Sequence, residues 1–306
     1  MNVPRLRRSC LSVPGSSGKM LAKAPTLPAD EVFLDLEDSV ALPEKNDTTR
    51  QNVVQALLAE PWLPRTRVVR INGVKTRWWV RDLVYVVERA GQVLDCIMLP
   101  KVESPSHVHA VDHVLSQLEA ELGIDRPIGI EVQIESPRGL IEIEQIASAS
   151  PRVETLIFGP GDFAASTGIP QLSVGAIDAD YPADQWHYVL FRVVVTARAF
   201  GLQAIDGPYA QIRDPDGFEE VARRSRHLGF DGKWALHPDQ IEACNRIYSP
   251  TEVEYERAER ILDALVQAEG GRLGAVMFEG EMIDEASRKM AEQVAARGRA
   301  AGLDRT

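Results

Sequence analysis

The stretch VFLDLEDSV, residues 32–40, decides the fold, because an apolar run ends abruptly in a cluster of carboxylates. Its first three residues lack the polar alternation of a strand with one exposed face, which is typical of a strand buried on both faces of a parallel sheet. Asp35, Glu37 and Asp38 follow at once. Like charges this close repel one another, so the stretch predicts a strand end that faces a cation or a catalytic task.

Seven further apolar or β-branched runs resemble this one, and most are followed by a helical pattern. They are CLSVPG, TRVVRING, DCIMLPKV, IGIEVQIES, TLIFGPGDF, LQAIDGPY and GKWALHP. Strands alternating with helices indicate an α/β architecture, and eight such units predict a (β/α)8 TIM barrel. The alternative is a doubly wound open sheet, whose usual G-x-G-x-x-G fingerprint after the first strand is missing.

The bulk composition is that of a globular protein, with 306 residues, 44% hydrophobic and 26% charged. A formal net charge of −11 argues against binding to nucleic acid or to an anionic membrane. No apolar run approaches the roughly 20 residues that span a bilayer. The three cysteines, Cys10, Cys96 and Cys244, are far apart, which favours reduced thiols in a cytoplasmic protein over disulfides or a zinc site.

Two pieces fall outside the eight units. The run between Gly168 and Phe191 is a long insertion that carries Pro, Asp and aromatic residues, and the aromatics favour order. After the last unit the chain resumes a helical pattern, with Gly270, Gly271 and Gly274 as a candidate hinge. We therefore predict a catalytic barrel over residues 1–248 and a C-terminal helical lid over 249–306.

Polar side chains stand at the ends of the predicted strands, where barrel enzymes carry their chemistry. In strand order, from the second to the eighth, they are Glu37 and Asp38, Arg70 and Asn72, Lys101 and Glu103, Glu135, Asp162, Asp206, and His237. Acids outnumber bases in this ring, which favours a divalent cation. Two carboxylates with the remaining positions left to water and substrate are the usual Mg²⁺ set, and Glu135 and Asp162 are the candidate ligands. Glu37 and Asp38 would accept hydrogen bonds from metal-bound water.

Each of these residues also has a purely structural interpretation. A carboxylate at a strand end is commonly the N-cap of the next helix, although Ser136 and Pro137 make a better helix start than Glu135. Arg70 could be a structural ion-pair partner, and Lys101 could extend its ammonium to solvent. His237 could simply begin a helix. The joint arrangement around one rim favours the functional interpretation.

With these residues in view, the chain resembles the aldolase/citrate lyase beta-subunit family of barrel enzymes. The segments that carry the resemblance, from about residue 8 to about 290, are VFLDLEDSV, VRING, MLPKVES, IESPRG, FGPGDFAASTG, AIDGPY and DGKWALHPDQI. The resemblance implies a TIM barrel, Mg²⁺ that Mn²⁺ can replace, a CoA thioester as substrate, and a homotrimer or homohexamer.

The resemblance also implies roles for individual residues. Glu135 and Asp162 match the magnesium ligands, and Arg70 matches the arginine beside the reacting carbonyl. Asp284 matches a catalytic aspartate that reaches the active site of a neighbouring subunit. The positions that match the lining of the substrate and CoA site are Ser17, Lys23, Arg70, Gly161, Asp162, Leu236 and His237. Ser17 departs from the family pattern, since relatives often have an arginine there for the CoA phosphates; Lys19 and Arg7 are the candidates to compensate.

Within the family, the segments DQWHY and EMIDEAS favour the branch that cleaves malyl-CoA. The implied reaction is reversible, Mg²⁺-dependent cleavage of malyl-CoA to acetyl-CoA and glyoxylate, or of β-methylmalyl-CoA to propionyl-CoA and glyoxylate. The alternatives are a citramalyl-CoA or citryl-type lyase, a malyl-CoA thioesterase, a class II aldolase that needs no CoA, and a silent subunit of a larger lyase.

Overall fold

The predicted barrel is confirmed in the computed structural model, which describes residues 5–178, 181, 183–270 and 274–305. Within these residues eight parallel strands close in sequence order, because the first strand pairs with both the second and the eighth. They are β1 (Ser9–Pro14), β2 (Glu31–Asp35), β3 (Thr66–Arg70), β4 (Cys96–Leu99), β5 (Gly129–Ile134), β6 (Val153–Phe158), β7 (Gln203–Asp206) and β8 (Gly232–Ala235). Each of the eight apolar runs in the sequence forms one of these strands.

Helices follow the strands, as the alternating pattern predicts. In the described part of the chain they are α1 (Gly18–Lys23), α2 (Asp47–Leu57), α3 (Trp79–Ala90), α4 (Pro105–Leu122), α5 (Pro137–Ile141), α6 (Ile143–Ala147), α7 (Pro160–Thr167), α8 (His187–Ala199), α9 (Pro215–Leu228), α10 (Asp239–Ile247), α11 (Glu252–Gly270) and α12 (Glu285–Ala300). Ser136 caps α5 by accepting a hydrogen bond from the Gly139 N–H, as predicted. Among all these described helices, none is both long and apolar enough to cross a membrane.

Buried side chains from different strands meet inside the barrel. One apolar cluster comprises Cys10, Phe33, Val68, Cys96, Met98, Ile157, Ile205 and Trp234. Closure between β8 and β1 requires a glycine, because a Cβ at Gly232 would lie 1.7 Å from the Arg7 carbonyl oxygen. The strand pairing at this seam therefore depends on residue 232 having no side chain.

A charged layer lies below the apolar cluster, at the N-terminal ends of the strands. The Arg7 guanidinium is buried and its Nε donates to Glu31 at 2.9 Å and to Glu131 at 2.8 Å. Its Nη2 lies 2.6 Å from Glu154. Burial lowers the pKa of Arg7, but the surrounding carboxylates raise it well above its ordinary value. Arg7 is therefore buried in ion pairs at the base of the barrel. Its predicted role in binding CoA phosphates is wrong.

The long insertion before α8 is anchored by Trp186. This side chain is buried, stands 5.4 Å from Phe158 and 6.4 Å from Phe163 between ring centroids, and donates from Nε1 to the Ala176 carbonyl. The aromatic residues therefore order this end of the insertion, as predicted. Residues 179, 180 and 182 of the insertion lie outside the described residues.

The chain forms two compact units, Met1–Asn245 and Arg246–Thr306. In the second unit α11 and α12 pack through Tyr255, Ala258, Ala291 and Ala295. A hairpin that the sequence did not predict, β9 (Val276–Phe278) with β10 (Glu281–Ile283), precedes α12. Of the candidate hinge glycines, Gly271 lies outside the described residues. The predicted boundary at residues 248 and 249 and the lid role stay predictions.

Candidate active site

The candidate site is built where β2 to β6 end, at the C-terminal rim of the barrel. Asp35 and Arg70 are the last residues of β2 and β3, and their Cα atoms are paired in the register of the two strands. Glu135 directly follows β5. Asp162 lies in the first turn of α7 rather than in a loop, and Gly159 caps that helix without a side-chain bond. The chain therefore brings these side chains to one rim from separate units, as expected of a barrel.

Arg70 is bound by the first carboxylate of the VFLDLEDSV stretch. Its Nε and Nη2 donate to the two oxygens of Asp35 at 2.7 and 2.6 Å, and both residues are buried. Burial alone would raise the pKa of Asp35, but the Arg70 charge and hydrogen bonds lower it below its ordinary value. The guanidinium also lies 5.2 Å from the ring centroid of Trp234 and 5.7 Å from that of Phe33. Arg70 is therefore a fixed, permanently charged group at the rim.

Glu135 is a buried carboxylate with two other acids nearby. Its Oε1 accepts the backbone N–H of Lys101 at 2.5 Å. Burial, followed by the charges of Asp162 and Glu37, raises the pKa of Glu135 to about 8. Gly159 gives this side chain room, since a Cβ there would lie 2.6 Å from Oε2. The site thus positions a carboxylate that gains from a nearby cation.

Glu37 and Asp38 have a protein cation as their partner. The Lys101 Nζ donates to Glu37 at 2.5 Å and to Asp38 at 2.9 Å, and it lies 3.5 Å from Asp162. Glu37 also faces Arg70, with 3.4 Å between Oε2 and Nη1. Burial is the main cause that raises the pKa of Glu37 to about 7. Burial would lower the pKa of Lys101, but the hydrogen bonds that its ammonium donates to Glu37 and Asp38 raise it above its ordinary value.

A cavity of about 250 Å³ opens beside these groups. Both Glu135 and Asp162 line it, so the structure places the two predicted ligands at one cavity. The other lining residues are Gly73, Val74, Lys75, Lys101, Glu103, Ser136 and Ser166. Across the described ranges, no three His, Cys, Asp or Glu side chains converge closely enough to hold a metal ion by themselves.

The residues present fit a magnesium ion rather than a soft metal. Glu135 and Asp162 offer only carboxylate oxygens, which are hard ligands that Mg²⁺ prefers. Burial and the nearby charge of Asp162 raise the pKa of Glu135, so a cation beside it would favour its ionised form. A two-carboxylate set leaves the remaining positions to water and substrate, as Mg²⁺ sites commonly do. That Glu37 and Asp38 orient metal-bound water stays a prediction.

Besides Arg70 and Asp162, five residues predicted to line the substrate and CoA site lie on loops and helices of the barrel unit. Ser17 caps α1, where its hydroxyl accepts the Met20 N–H, and Lys23 is an exposed residue in the last turn of that helix. Gly161 lies in α7. The backbone N–H groups of Leu236 and His237 both donate to Gln240 Oε1, at 2.7 and 3.3 Å. None of the five lines the cavity described above, so their roles toward CoA stay predictions.

Asp284 is the N-cap of α12. Its Oδ1 accepts the N–H groups of Ala286 and Ser287, and the Ser287 hydroxyl bonds back to the Asp284 N–H. This capping box satisfies backbone donors that the first turn of a helix leaves unpaired. Asp284 therefore has a structural task in the second unit, and its catalytic role stays a prediction.

Sequence reasoning missed Lys101 as a centre of the site. Lys101 and Glu37 lie 64 positions apart along the chain, and a lysine after a strand is commonly a solvent-exposed side chain. One signal was available, since the LPK segment puts a basic residue among acids at the rim. Asp35 as the partner of Arg70 could have been found from the pairing of neighbouring strands.

Comparisons with known proteins agree with this geometry. The sequence profile of the HpcH/HpaI aldolase/citrate lyase family matches residues 8–238. The L-malyl-CoA/beta-methylmalyl-CoA lyase of Cereibacter sphaeroides is 38% identical over 299 residues, which cover 95% of this chain and 94% of that protein.

Two further proteins extend the comparison. The malyl-CoA/beta-methylmalyl-CoA/citramalyl-CoA lyase of Chloroflexus aurantiacus is 35% identical over 85% of this chain and 78% of that protein. The crystal structure of CitE from Mycobacterium tuberculosis, solved with magnesium, acetoacetate and coenzyme A, has a TM-score of 0.74 and 29% identity, covering 95% of this chain and 97% of that one. The chain therefore belongs to the HpcH/HpaI aldolase/citrate lyase family.

Proposed function

We propose that the chain is a CoA-ester lyase that reversibly cleaves malyl-CoA to acetyl-CoA and glyoxylate, and β-methylmalyl-CoA to propionyl-CoA and glyoxylate. The observation that carries the proposal is that Glu135 and Asp162 line one cavity at the barrel rim, beside the buried Arg70. The names of the bacterial relatives support the same substrates.

Glu135 and Asp162 would hold the magnesium ion, and Mn²⁺ would replace it. When bound, the ion supplies Lewis acidity, which lowers the pKa of the substrate hydroxyl and, in the reverse direction, polarises the glyoxylate carbonyl. The two side chains are suited to this task because one is held by the Lys101 N–H and the other by the first turn of α7.

Arg70 would stabilise negative charge as the carbon–carbon bond breaks. The electron pair of that bond would pass to the α-carbon of the thioester, so an enolate oxygen develops charge, while the hydroxyl would give its proton to water and become an aldehyde. A guanidinium already fixed by Asp35 needs little reorganisation to stabilise such an oxyanion. This fixed orientation favours the transition state over the ground state.

Asp284 would move the proton at the α-carbon of the thioester. It would donate this proton in cleavage and remove it in condensation, as a general acid and base. The support is the match of EMIDEAS to the family pattern, which assigns the residue to the active site of a neighbouring subunit. Both cap hydrogen bonds of Asp284 end on Oδ1, which leaves Oδ2 outside the cap.

Citramalyl-CoA is a second candidate substrate, because the Chloroflexus relative carries that substrate in its name. It differs from malyl-CoA by one methyl group, a difference that a pocket distinguishes only about 10- to 200-fold. Incubating the purified chain with each of the three CoA esters and trapping the released 2-oxo acid with phenylhydrazine tests the proposal, because citramalyl-CoA would release pyruvate where the other two esters release glyoxylate. Glyoxylate release that stops in EDTA and returns with Mg²⁺ is expected. Free CoA without glyoxylate would identify a thioesterase, and no product from any ester would refute the lyase.

The assembly and the compartment are proposals as well. We infer a homotrimer or homohexamer, supported by Tyr188, Phe191 and Val195, which expose an apolar strip on one face of α8. Light scattering during size exclusion measures the mass directly, and a monomer would contradict the proposal. The cytoplasm is supported by Cys10, Cys96 and Cys244, which are buried free thiols.

A further inference from the structure

Lys101 adopts a backbone conformation that lysine rarely takes. Its φ is +54°, in the left-handed region that favours glycine and, among other residues, asparagine and aspartate. Such a conformation persists only where the surroundings hold it, and it concentrates at functional sites. The residue follows β4 and Pro100, so the unusual turn lies at the rim of the barrel.

This turn lets one residue contact four acids. Its backbone N–H donates to Glu135 at 2.5 Å, and its ammonium lies 3.5 Å from Asp162. The same ammonium donates to Glu37 at 2.5 Å and to Asp38 at 2.9 Å. Lys101 therefore touches both proposed metal ligands and also Glu37 and Asp38.

We propose that Lys101 is a positioning residue whose ammonium holds Glu37 and Asp38 away from the Glu135–Asp162 pair, so that a bound divalent cation keeps coordination positions for substrate. The proposal rests on the proposed function, which assigns Glu135 and Asp162 as metal ligands. An ammonium 3.5 Å from Asp162 also repels a dication there. Four carboxylates without this lysine would bind the dication more tightly and leave fewer positions open.

Substitutions that keep the backbone N–H isolate the ammonium. Lys101→Met and Lys101→Asn remove the charge but preserve the N–H donated to Glu135, and asparagine tolerates the left-handed conformation. Lys101→Arg keeps the charge. The matched control is Lys75→Met, which removes the same charge from the wall of the same cavity, where Lys75 pairs with Glu103.

Mn²⁺ binding by electron paramagnetic resonance, with no substrate present, is the primary measurement. We expect Lys101→Met and Lys101→Asn to bind Mn²⁺ about tenfold more tightly than the wild-type chain. Lys101→Arg is expected to stay within about threefold of wild type, and Lys75→Met within about twofold, because exposed charges are screened. Circular dichroism verifies that each variant folds. If Lys101→Met does not fold, Mn²⁺ binding by Lys101→Asn decides the question.

Water on the bound ion gives a second measurement. If extra carboxylates reach the ion in the neutral variants, solvent-proton relaxation by bound Mn²⁺ falls, and kcat for malyl-CoA falls while metal affinity rises. If Lys101 only stabilised the fold, its loss would not raise metal affinity while lowering kcat. Unchanged or weaker Mn²⁺ binding in the neutral variants, or equal tightening in Lys75→Met, would overturn the inference. Failure of the wild-type chain to bind Mn²⁺ would instead overturn the proposed function.

Discussion

Arg70 shows how a single residue is prepared for catalysis by its neighbours. Asp35 binds two of its nitrogens, and the rings of Trp234 and Phe33 lie beside its plane. A lysine would keep the charge but could not reproduce two parallel hydrogen bonds to one carboxylate. The site therefore needs this side chain for its geometry as well as for its charge.

The variant Arg70→Lys tests this requirement. We expect kcat/KM for malyl-CoA to fall about 10²- to 10³-fold, the cost of losing one oriented donor to an oxyanion. Glyoxylate release measures the rate, and Mn²⁺ affinity, which does not depend on the guanidinium geometry, is the control. A loss smaller than about threefold, in a folded variant, would show that Arg70 serves only as the partner of Asp35.

Cys244, which does not line the cavity of the candidate site, gives a pH prediction. Burial raises the pKa of this thiol to about 12, from an ordinary value of 9.0. The thiol stays neutral in the folded chain while it ionises in the unfolded chain above pH 9. The stability it contributes is therefore complete below pH 9 and is lost as pH rises toward 12.

We expect the free energy of unfolding of the wild-type chain, measured by urea denaturation, to fall between pH 8 and pH 10. This thiol should account for about 1.4 kcal/mol of the loss per pH unit above 9. Cys244→Ala lacks the thiol, so its stability should fall less steeply over the same range. Comparing the two slopes cancels the contribution of tyrosines and lysines. Parallel slopes would contradict the prediction.

At the scale of elements, residues 5–8 precede β1 and cover the base of the barrel. Arg7 is shared by carboxylates from β2, β5 and β6, and Arg5 binds Asp95 at 2.9 Å. Burial and the charge of Glu31 raise the pKa of Glu131 well above its ordinary value. A short segment thus neutralises charges that several strands place at one end of the barrel.

Arg7→Met should destabilise the chain strongly, by about 3–5 kcal/mol, because it leaves buried carboxylates without their cation. Chemical denaturation of the variant measures this loss. The matched control is Arg126→Met, since Arg126 pairs with Asp95 at 2.6 Å but is half exposed, and it should cost at most about 1 kcal/mol. Similar losses of stability in the two variants would show that the burial of the Arg7 ion pairs does not determine their contribution to stability.

Sequence patterns predict the barrel elements well and the contacts between them poorly. The VFLDLEDSV stretch predicts β2 because a strand buried on both faces needs continuous apolar residues. The β9–β10 hairpin was missed because each of its strands has only three residues, too few for a recognisable strand pattern in the sequence. The Arg7 network was missed because its partners are distant along the chain, up to 196 positions for Gln203.

The sequence predicted which residues lie at the candidate site, but not which acid pairs with which base. Arg70, Glu135 and Asp162 could be named because strand ends of a barrel share one rim. Which acid would pair with which base depends on side-chain directions that the sequence does not specify. Lys101 illustrates this limit, since its left-handed backbone turns its ammonium onto Glu37 and Asp38.

For the whole molecule, the central prediction concerns Asp284 and the assembly. Asp284→Asn should abolish turnover while leaving Mn²⁺ binding intact, because the residue is proposed to move a proton and not to hold the metal. Mixing Asp284→Asn with Arg70→Lys under conditions of subunit exchange should restore activity, because mixed oligomers combine an intact Arg70 with an intact Asp284.

The measurement is glyoxylate release before and after exchange, and each variant incubated alone is the control. Asparagine also caps helices well, so the Asp284→Asn variant should keep α12 folded. Activity that does not return, in oligomers shown by mass to be mixed, would mean that Asp284 acts within its own subunit or not at all.

The seam between β1 and β8 has a consequence for biosynthesis. Ser9 in β1 pairs with Lys233 in β8, so the first barrel strand to be synthesised cannot complete its pairing until the last barrel strand has been synthesised. At bacterial translation speeds of about 5–20 residues per second, this delay is roughly 10–45 seconds. During that time one edge of β1 in the nascent polypeptide has unpaired backbone N–H and C=O groups, to which other chains can bind. Slower induction at low temperature, or extra chaperone, should therefore raise the yield of recombinant protein.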